Sequence, residues 1–133
     1  MEDKKLHITA AELSVMKVLW QNRRCTAAVI VEQLEKRRPW HFRTIKTLLR
    51  NLVAKGLAGY EVDGKDSRVY HYSPLISEEV YLTQEREHFL EEYYDGNFGA
   101  MLSGFLKDRN GSEEELEALR RLLDEAAERG HRP

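Results

Sequence analysis

Residues 40–56 read WHFRTIKTLLRNLVAKG, and this stretch decides how the rest of the chain is to be understood. Laid out at about 100° per residue, it makes a helix with two unlike faces. Ile45, Leu48, Leu49, Leu52 and Val53 share one side; Arg43, Thr44, Lys46, Thr47, Arg50 and Asn51 share the other. The second face carries cations and short hydrogen-bonding side chains, and it carries no acid. Arg and Lys reach guanine edges or phosphates, Asn pairs with adenine, and Thr offers a hydroxyl together with a methyl that can meet the thymine methyl. An ordinary solvated helix face has the same composition, so the flanking sequence has to decide.

Upstream, Thr9-Ala-Ala-Glu12 has the form of a capping box. It opens a helix to about Gln21 whose Leu13, Met16, Leu19 and Trp20 recur at helical spacing and face a core. After a basic break at Asn22 to Cys25, Thr26 caps a second helix with Ile30, Val31 and Leu34 inward, and Pro39 stops it. Only a short turn then precedes the helix of residues 40–56, which is helix-turn-helix order. Downstream, Lys55 lies in the last turn of that helix and Gly56 ends it with a residue able to take positive φ. Ala58, Tyr60 and Val62 alternate, Asp63-Gly64 signals a hairpin turn, and Arg68 to Tyr72 is a second β-prone run. Three helices and a hairpin predict a winged helix, with Lys65 and Arg68 at the wing tip and Asp63 and Asp66 offsetting part of their charge. A calcium loop is a poor reading of the same residues, since the run of oxygen ligands and the closing Glu are missing.

The net charge of -2 conceals a division. Residues 1–74 hold 14 Lys and Arg against 8 Asp and Glu, a net +6, while residues 75–133 hold 7 against 15, a net -8. A polyanion is therefore gripped by the first part alone. No apolar run is long enough to span a membrane and residues 1–9, MEDKKLHIT, lack the apolar core of a secretory signal. With Cys25 as the single cysteine, a reducing cytoplasm is the expected compartment.

Beyond Ser73-Pro74 the chain turns acidic and helical. Tyr81, Leu82, Phe89, Leu90 and Tyr93 predict an amphipathic helix ending near Asp95-Gly96, and Phe98, Met101, Leu102, Phe105 and Leu106 predict a short second one. Ser112 and Glu115 form another capping box before Leu116, Leu119, Leu123 and Ala126. So short a tail buries this many apolar residues best against a second copy of itself. The expected architecture is mainly α with a small β-hairpin: a winged helix-turn-helix DNA-binding domain over 1–74 and an acidic helical dimerisation domain over 75–133. Tyr81, Phe89, Phe98, Leu102, Phe105, Leu116, Leu119 and Leu123 are the candidate dimer contacts.

Ile8-Thr9, Glu12, Val15-Met16, Leu19-Trp20, Trp40, Thr44-Ile45-Lys46-Thr47-Leu48, Leu52, Lys55-Gly56, Arg68, Tyr70, Tyr72 and Pro74 resemble the BlaI/MecI/CopY family of penicillinase repressors. The acidic tail, with Tyr94-Asp-Gly-Asn-Phe98 and the Ser112-to-Ala126 helix, is similar as well. The resemblance implies a homodimeric winged-helix repressor of the bacterial cytoplasm that binds dyad-symmetric double-stranded operators with TACA/TGTA-like half-sites, in a setting such as β-lactam resistance. It also implies release through a membrane-bound metalloprotease sensor, which in the β-lactam branch cuts an Asn-Phe bond; the aligned pair here is Gly104-Phe105. His41 stands where the family usually has a Ser cap, and Asn51 where the β-lactam repressors have Arg. The paired C-terminal cysteines of the copper-responsive branch have no counterpart, so no metal or other cofactor is expected.

Enzymatic readings are weak. Glu85-x-x-His88 has the spacing used in di-iron bundles, but those need the motif twice plus two further Glu, so a surface pair is the better reading. HExxH, P-loop and GxSxG patterns are absent. The rival to a DNA-binding regulator is a winged-helix protein-interaction subunit, which would leave the basic helix face and the +6 charge without a purpose.

Overall fold

The computed structural model describes residues 7–108 and 111–130. The chain divides into two compact units, one ending at Thr83 and the other beginning at Gln84.

The first unit opens with helix α1, Ala10–Asn22, and the Thr9–Glu12 capping box is complete: the Glu12 amide donates to Thr9 Oγ1 at 3.1 Å and the Thr9 amide donates to Glu12 Oε1 at 3.0 Å. Val15, Met16, Val18 and Leu19 are the apolar residues that α1 buries, with Glu12 beside them, whereas Leu13 and Trp20 are half-buried. The inward face is thus rotated from the expected one toward Val15 and Val18. A two-residue strand, β1 (Cys25–Thr26), begins at the last residue of what reads in sequence as a basic break. Thr26 then caps helix α2, Ala27–Glu35, which buries Ile30 and Leu34 and leaves Val31 half-buried. Helix α2 ends well before Pro39, because the amides of Arg37 and Arg38 turn back onto the Leu34 carbonyl at 2.9 and 2.8 Å.

Helix α3, Phe42–Ala54, buries Ile45, Leu49 and Leu52. Its end is a Schellman motif: Gly56, at φ +79°, donates to Val53 and Leu57 donates to Leu52, both at 3.0 Å. Strands β2 (Ala58–Val62) and β3 (Tyr70–Pro74) pair antiparallel with Tyr60 opposite Tyr72 and Val62 opposite Tyr70. Strand β1 adds to the other edge of β3, giving the sheet order β1-β3-β2. The connection between β2 and β3 is longer than the Asp63-Gly64 pair suggests, and Arg68 belongs to it rather than to a strand. Its shape comes from the Asp63 carboxylate, which accepts from the amides of Lys65 and Asp66 at 2.9 and 3.0 Å, and from the Asp63 amide donating to Val69 at 2.8 Å.

Helix α4, Glu78–Tyr94, spans the border between the units. Its first turn belongs to the first unit because Tyr81, 4% exposed, packs on Trp20 at a ring-centroid distance of 5.7 Å, and Trp20 Nε1 donates to the Ile76 carbonyl at 2.9 Å. Tyr81, expected in the dimer seam, thus has its ring buried within its own chain, and the unit border falls later than Pro74. In the second unit, α4 ends at positive-φ Asp95 and Gly96, Asn97 Oδ1 caps helix α5 (Phe98–Asp108) through the Ala100 amide at 3.0 Å, and Ser112 Oγ caps helix α6 (Glu113–Gly130) through the Glu115 amide at 3.1 Å. Among the described residues, no helix is long and apolar enough to cross a membrane.

Candidate nucleic-acid interface

The polar face of α3 is presented whole. Arg43, Thr44, Lys46, Thr47, Arg50 and Asn51 are all exposed, while Ile45, Leu49 and Leu52 on the reverse anchor the helix to the core. The absent Ser cap at its start is replaced by a ring nitrogen: His41 Nδ1 accepts from the Arg43 amide at 3.1 Å. Imidazole is not among the common capping groups, but the backbone geometry here lets the ring do the work of the hydroxyl. The first turn of α3 holds no acid, so the partial positive charge of the helix start adds to that of Arg43 and Lys46.

At the far end of α3, the Lys55 ammonium reaches back to α1. It lies 2.7 Å from Glu12 Oε1 and 3.0 Å from the His7 carbonyl. Glu12 is 2% exposed, and this is the charge that fixes where α3 sits against α1. Burial pushes the Glu12 carboxyl up, but the Lys55 hydrogen bond, the Thr9 amide and the Lys55 charge outweigh it and hold the acid below its ordinary value. Sequence alone places Lys55 near the helix carbonyls; nothing local says that its partner is 43 residues upstream.

The wing supplies the other wall. Tyr60 and Tyr70 stack nearly parallel, with centroids 4.5 Å apart and planes 8° apart, and Tyr72 joins them at 5.8 Å from Tyr60. These rings, together with Phe42, Lys46, Arg50 and Arg68, line a concavity of about 1210 Å³ between α2, α3 and the wing. Burial raises the Tyr72 phenol above its ordinary range, with the nearby Arg50 charge acting against that. The tyrosines are functional candidates that the sequence reading missed; their alternation marked only a strand, although three aromatics on one hairpin face was the available signal.

The two wing cations differ. Lys65 stands exposed at the tip, but the Arg68 guanidinium is held by the Asp66 carboxylate through Nε at 3.1 Å and the terminal nitrogen at 3.2 Å. Asp63 is lowered to about 2 by its hydrogen bond from His71 and the amides of Lys65 and Asp66, so the loop keeps two ionised acids beside its cations. Arg68 must give up Asp66 to meet a phosphate. Arg68→Ala is therefore expected to weaken binding to a duplex less than Lys46→Ala does, by under about 1 kcal/mol, in parallel titrations; a larger loss than for Lys46→Ala would show that the Asp66 contact opens at no cost.

In the second unit, α5 and α6 bury none of their side chains within the chain. Phe98, Phe105, Leu116 and Leu123 are between 44% and 55% exposed, Phe89 is exposed, and Leu102 and Leu119 are half-covered. Gly104 and Phe105 lie in the middle of α5. His88 Nδ1 lies 3.9 Å from Glu92, a surface residue one turn further along α4.

The penicillinase repressor family profile matches residues 8–125. This chain belongs to that family. The penicillinase repressor of Bacillus licheniformis is 34% identical over 118 residues, covering 89% of this chain and 90% of that protein. The methicillin resistance regulatory protein MecI of Mammaliicoccus sciuri is 29% identical over 124 residues, 93% of this chain and 98% of its own length. Among solved structures, the solution structure of monomeric Bacillus licheniformis BlaI in complex with the blaP half-operator matches with a TM-score of 0.51 at 35% identity, covering 59% of this chain and 92% of that one. The relatives therefore match along almost the whole chain in sequence.

Proposed function

We propose that this protein is a dimeric transcriptional repressor that binds dyad-symmetric operator DNA with TACA/TGTA-like half-sites. The observation that carries the reading is the α3 face: every one of its polar residues is exposed and none is acidic, on a chain whose family includes a relative solved on its half-operator. In this reading Thr44, Lys46, Thr47, Arg50 and Asn51 meet base edges or adjacent phosphates, Arg43 and Lys65 hold the backbone, and the winged helix is the DNA-binding domain. The exposed apolar faces of α5 and α6 support a dimerisation role for the second unit, because a face of this kind is stable in water only when covered. Two copies of α3 then enter successive major grooves about 34 to 36 Å apart.

The test is a mobility shift on a duplex carrying two such half-sites, over a salt series, with the mass of the free protein measured in parallel. Binding should weaken steeply with salt, since each phosphate neutralised releases a counterion. An interaction with no duplex, or one indifferent to salt, would leave the protein-interaction reading in its place. Within α3, Lys46→Ala should cost about 1–3 kcal/mol and relax discrimination at one position of each half-site. Equal weakening on all sequences would make Lys46 a phosphate contact instead.

A further inference from the structure

In the described first unit the cations sort by whether the chain already neutralises them. Arg24 pairs with Glu61, Lys55 with Glu12 and Arg68 with Asp66. Lys36, Arg37 and Arg38, three consecutive exposed cations in the turn between α2 and α3, have no ion pair among the described residues. The acids nearest in sequence, Glu32 and Glu35, line the concavity with Lys46 and pair with none of the three.

This turn is also held in one shape. The amides of Arg37 and Arg38 both donate to the Leu34 carbonyl, the Arg38 guanidinium lies 5.4 Å over the Trp40 ring, and Trp40 packs against the hydrophobic core. Three like charges gathered on a fixed turn repel one another; no carboxylate among the described residues offsets them, the polar face of α3 does not include them, and the fold engages only Arg38, through the Trp40 ring.

Their place in the motif points to an occupant. In helix-turn-helix docking the first helix of the pair crosses the duplex backbone, while the N-terminal end of the second enters the major groove. The segment joining them must therefore pass over a strand of phosphates. We infer that Lys36, Arg37 and Arg38 form a sequence-independent phosphodiester clamp at the entrance of α3, separate from the helix face that reads bases. The inference rests on the DNA-binding reading. It makes the footprint of each protomer larger than α3 and the wing alone provide.

The test uses the full chain and a triple variant, Lys36→Ser, Arg37→Ser and Arg38→Ser, on two duplexes: one with two TACA/TGTA-like half-sites in dyad and one of mixed sequence. All three side chains are exposed and the Trp40 ring contact of Arg38 is weak at such a position, so thermal unfolding should shift little, and a large fall in melting temperature would identify a structural role, against the clamp. The slope of log affinity against log salt changes by about 0.9 for each lost phosphate contact, so it should become shallower by about 5 for a dimer and about 3 for a single protomer. The loss should be the same on both duplexes, leaving their affinity ratio intact. Because a phosphate asks only for charge, Arg37→Lys with Arg38→Lys should keep the wild-type slope. A steep wild-type slope that the triple variant alters by less than about 2 overturns the clamp while leaving the repressor reading standing. A loss confined to the dyad duplex would make the turn a base reader, which also overturns it. If the wild-type protein binds neither duplex, the repressor reading fails first and the clamp with it.

Discussion

Leu119→Asp is expected to dissociate the protein into monomers and to lower its affinity for a two-half-site operator by roughly 10²–10⁴-fold. Leu116, Leu119 and Leu123 fall on one side of α6, with Leu116 and Leu123 about half exposed in the single chain, 44% and 46%. In the proposed dimer they are covered, and a carboxylate introduced there would be buried without a partner, which costs far more than losing a leucine contact. The winged helix lies in the other unit and should remain folded, so binding to an isolated half-site should be unchanged. That separation is what makes the affinity loss informative: it comes from linkage between two copies, since each half-site is gripped as before. Sedimentation or light scattering gives the mass, and a mobility shift on one and two half-sites gives the affinities. An unchanged dimer mass would move the interface elsewhere, with the exposed Phe89 and Tyr93 of α4 as the next apolar surface.

Lys55→Met has the second largest expected effect, a loss of about 2–3 kcal/mol in unfolding free energy at neutral pH. Removing one partner of a fully buried pair costs more, but the Lys55 side chain is 36% exposed and water can partly replace it beside Glu12. The pH dependence follows from the Glu12 carboxyl, which the native contacts hold below its ordinary value. Such a group binds fewer protons folded than unfolded, so its stabilising contribution is present above the ordinary carboxylate range and disappears as pH falls through the lowered native value. In the variant, burial acts on Glu12 without the ammonium, and protonation relieves the penalty. Urea unfolding at about pH 7 and about pH 3 should show the difference between wild type and variant shrinking with acid. An equal difference at both values would mean that Lys55 matters through packing and the His7 carbonyl rather than through charge.

The sequence by itself determined the local features. The Thr9, Thr26 and Ser112 caps, the positive-φ Gly56, the acid-free polar face of α3 and the alternation of β2 depend on residues within a few positions of one another, where spacing and side-chain chemistry settle the outcome. The order of three helices and a hairpin, and the six exposed side chains of the candidate interface, follow from those features.

The tertiary structure decided what depends on contacts between distant segments. β1 is a strand only because Cys25 and Thr26 pair with Tyr72 and His71, and a two-residue run has no period of its own. Val15 and Val18 take the place of Leu13 in the core because contacts of α1 with α2 and α3, distant in sequence, choose the buried stripe. The same holds for charge. Composition counts Lys55 and Arg68 with every other cation of residues 1–74, yet Glu12 and Asp66 engage both, whereas Lys36, Arg37 and Arg38 are left without acids among the described residues. Which cation is available to a phosphate is a matter of where the acids lie in space, and a net charge of +6 over residues 1–74 does not carry that information.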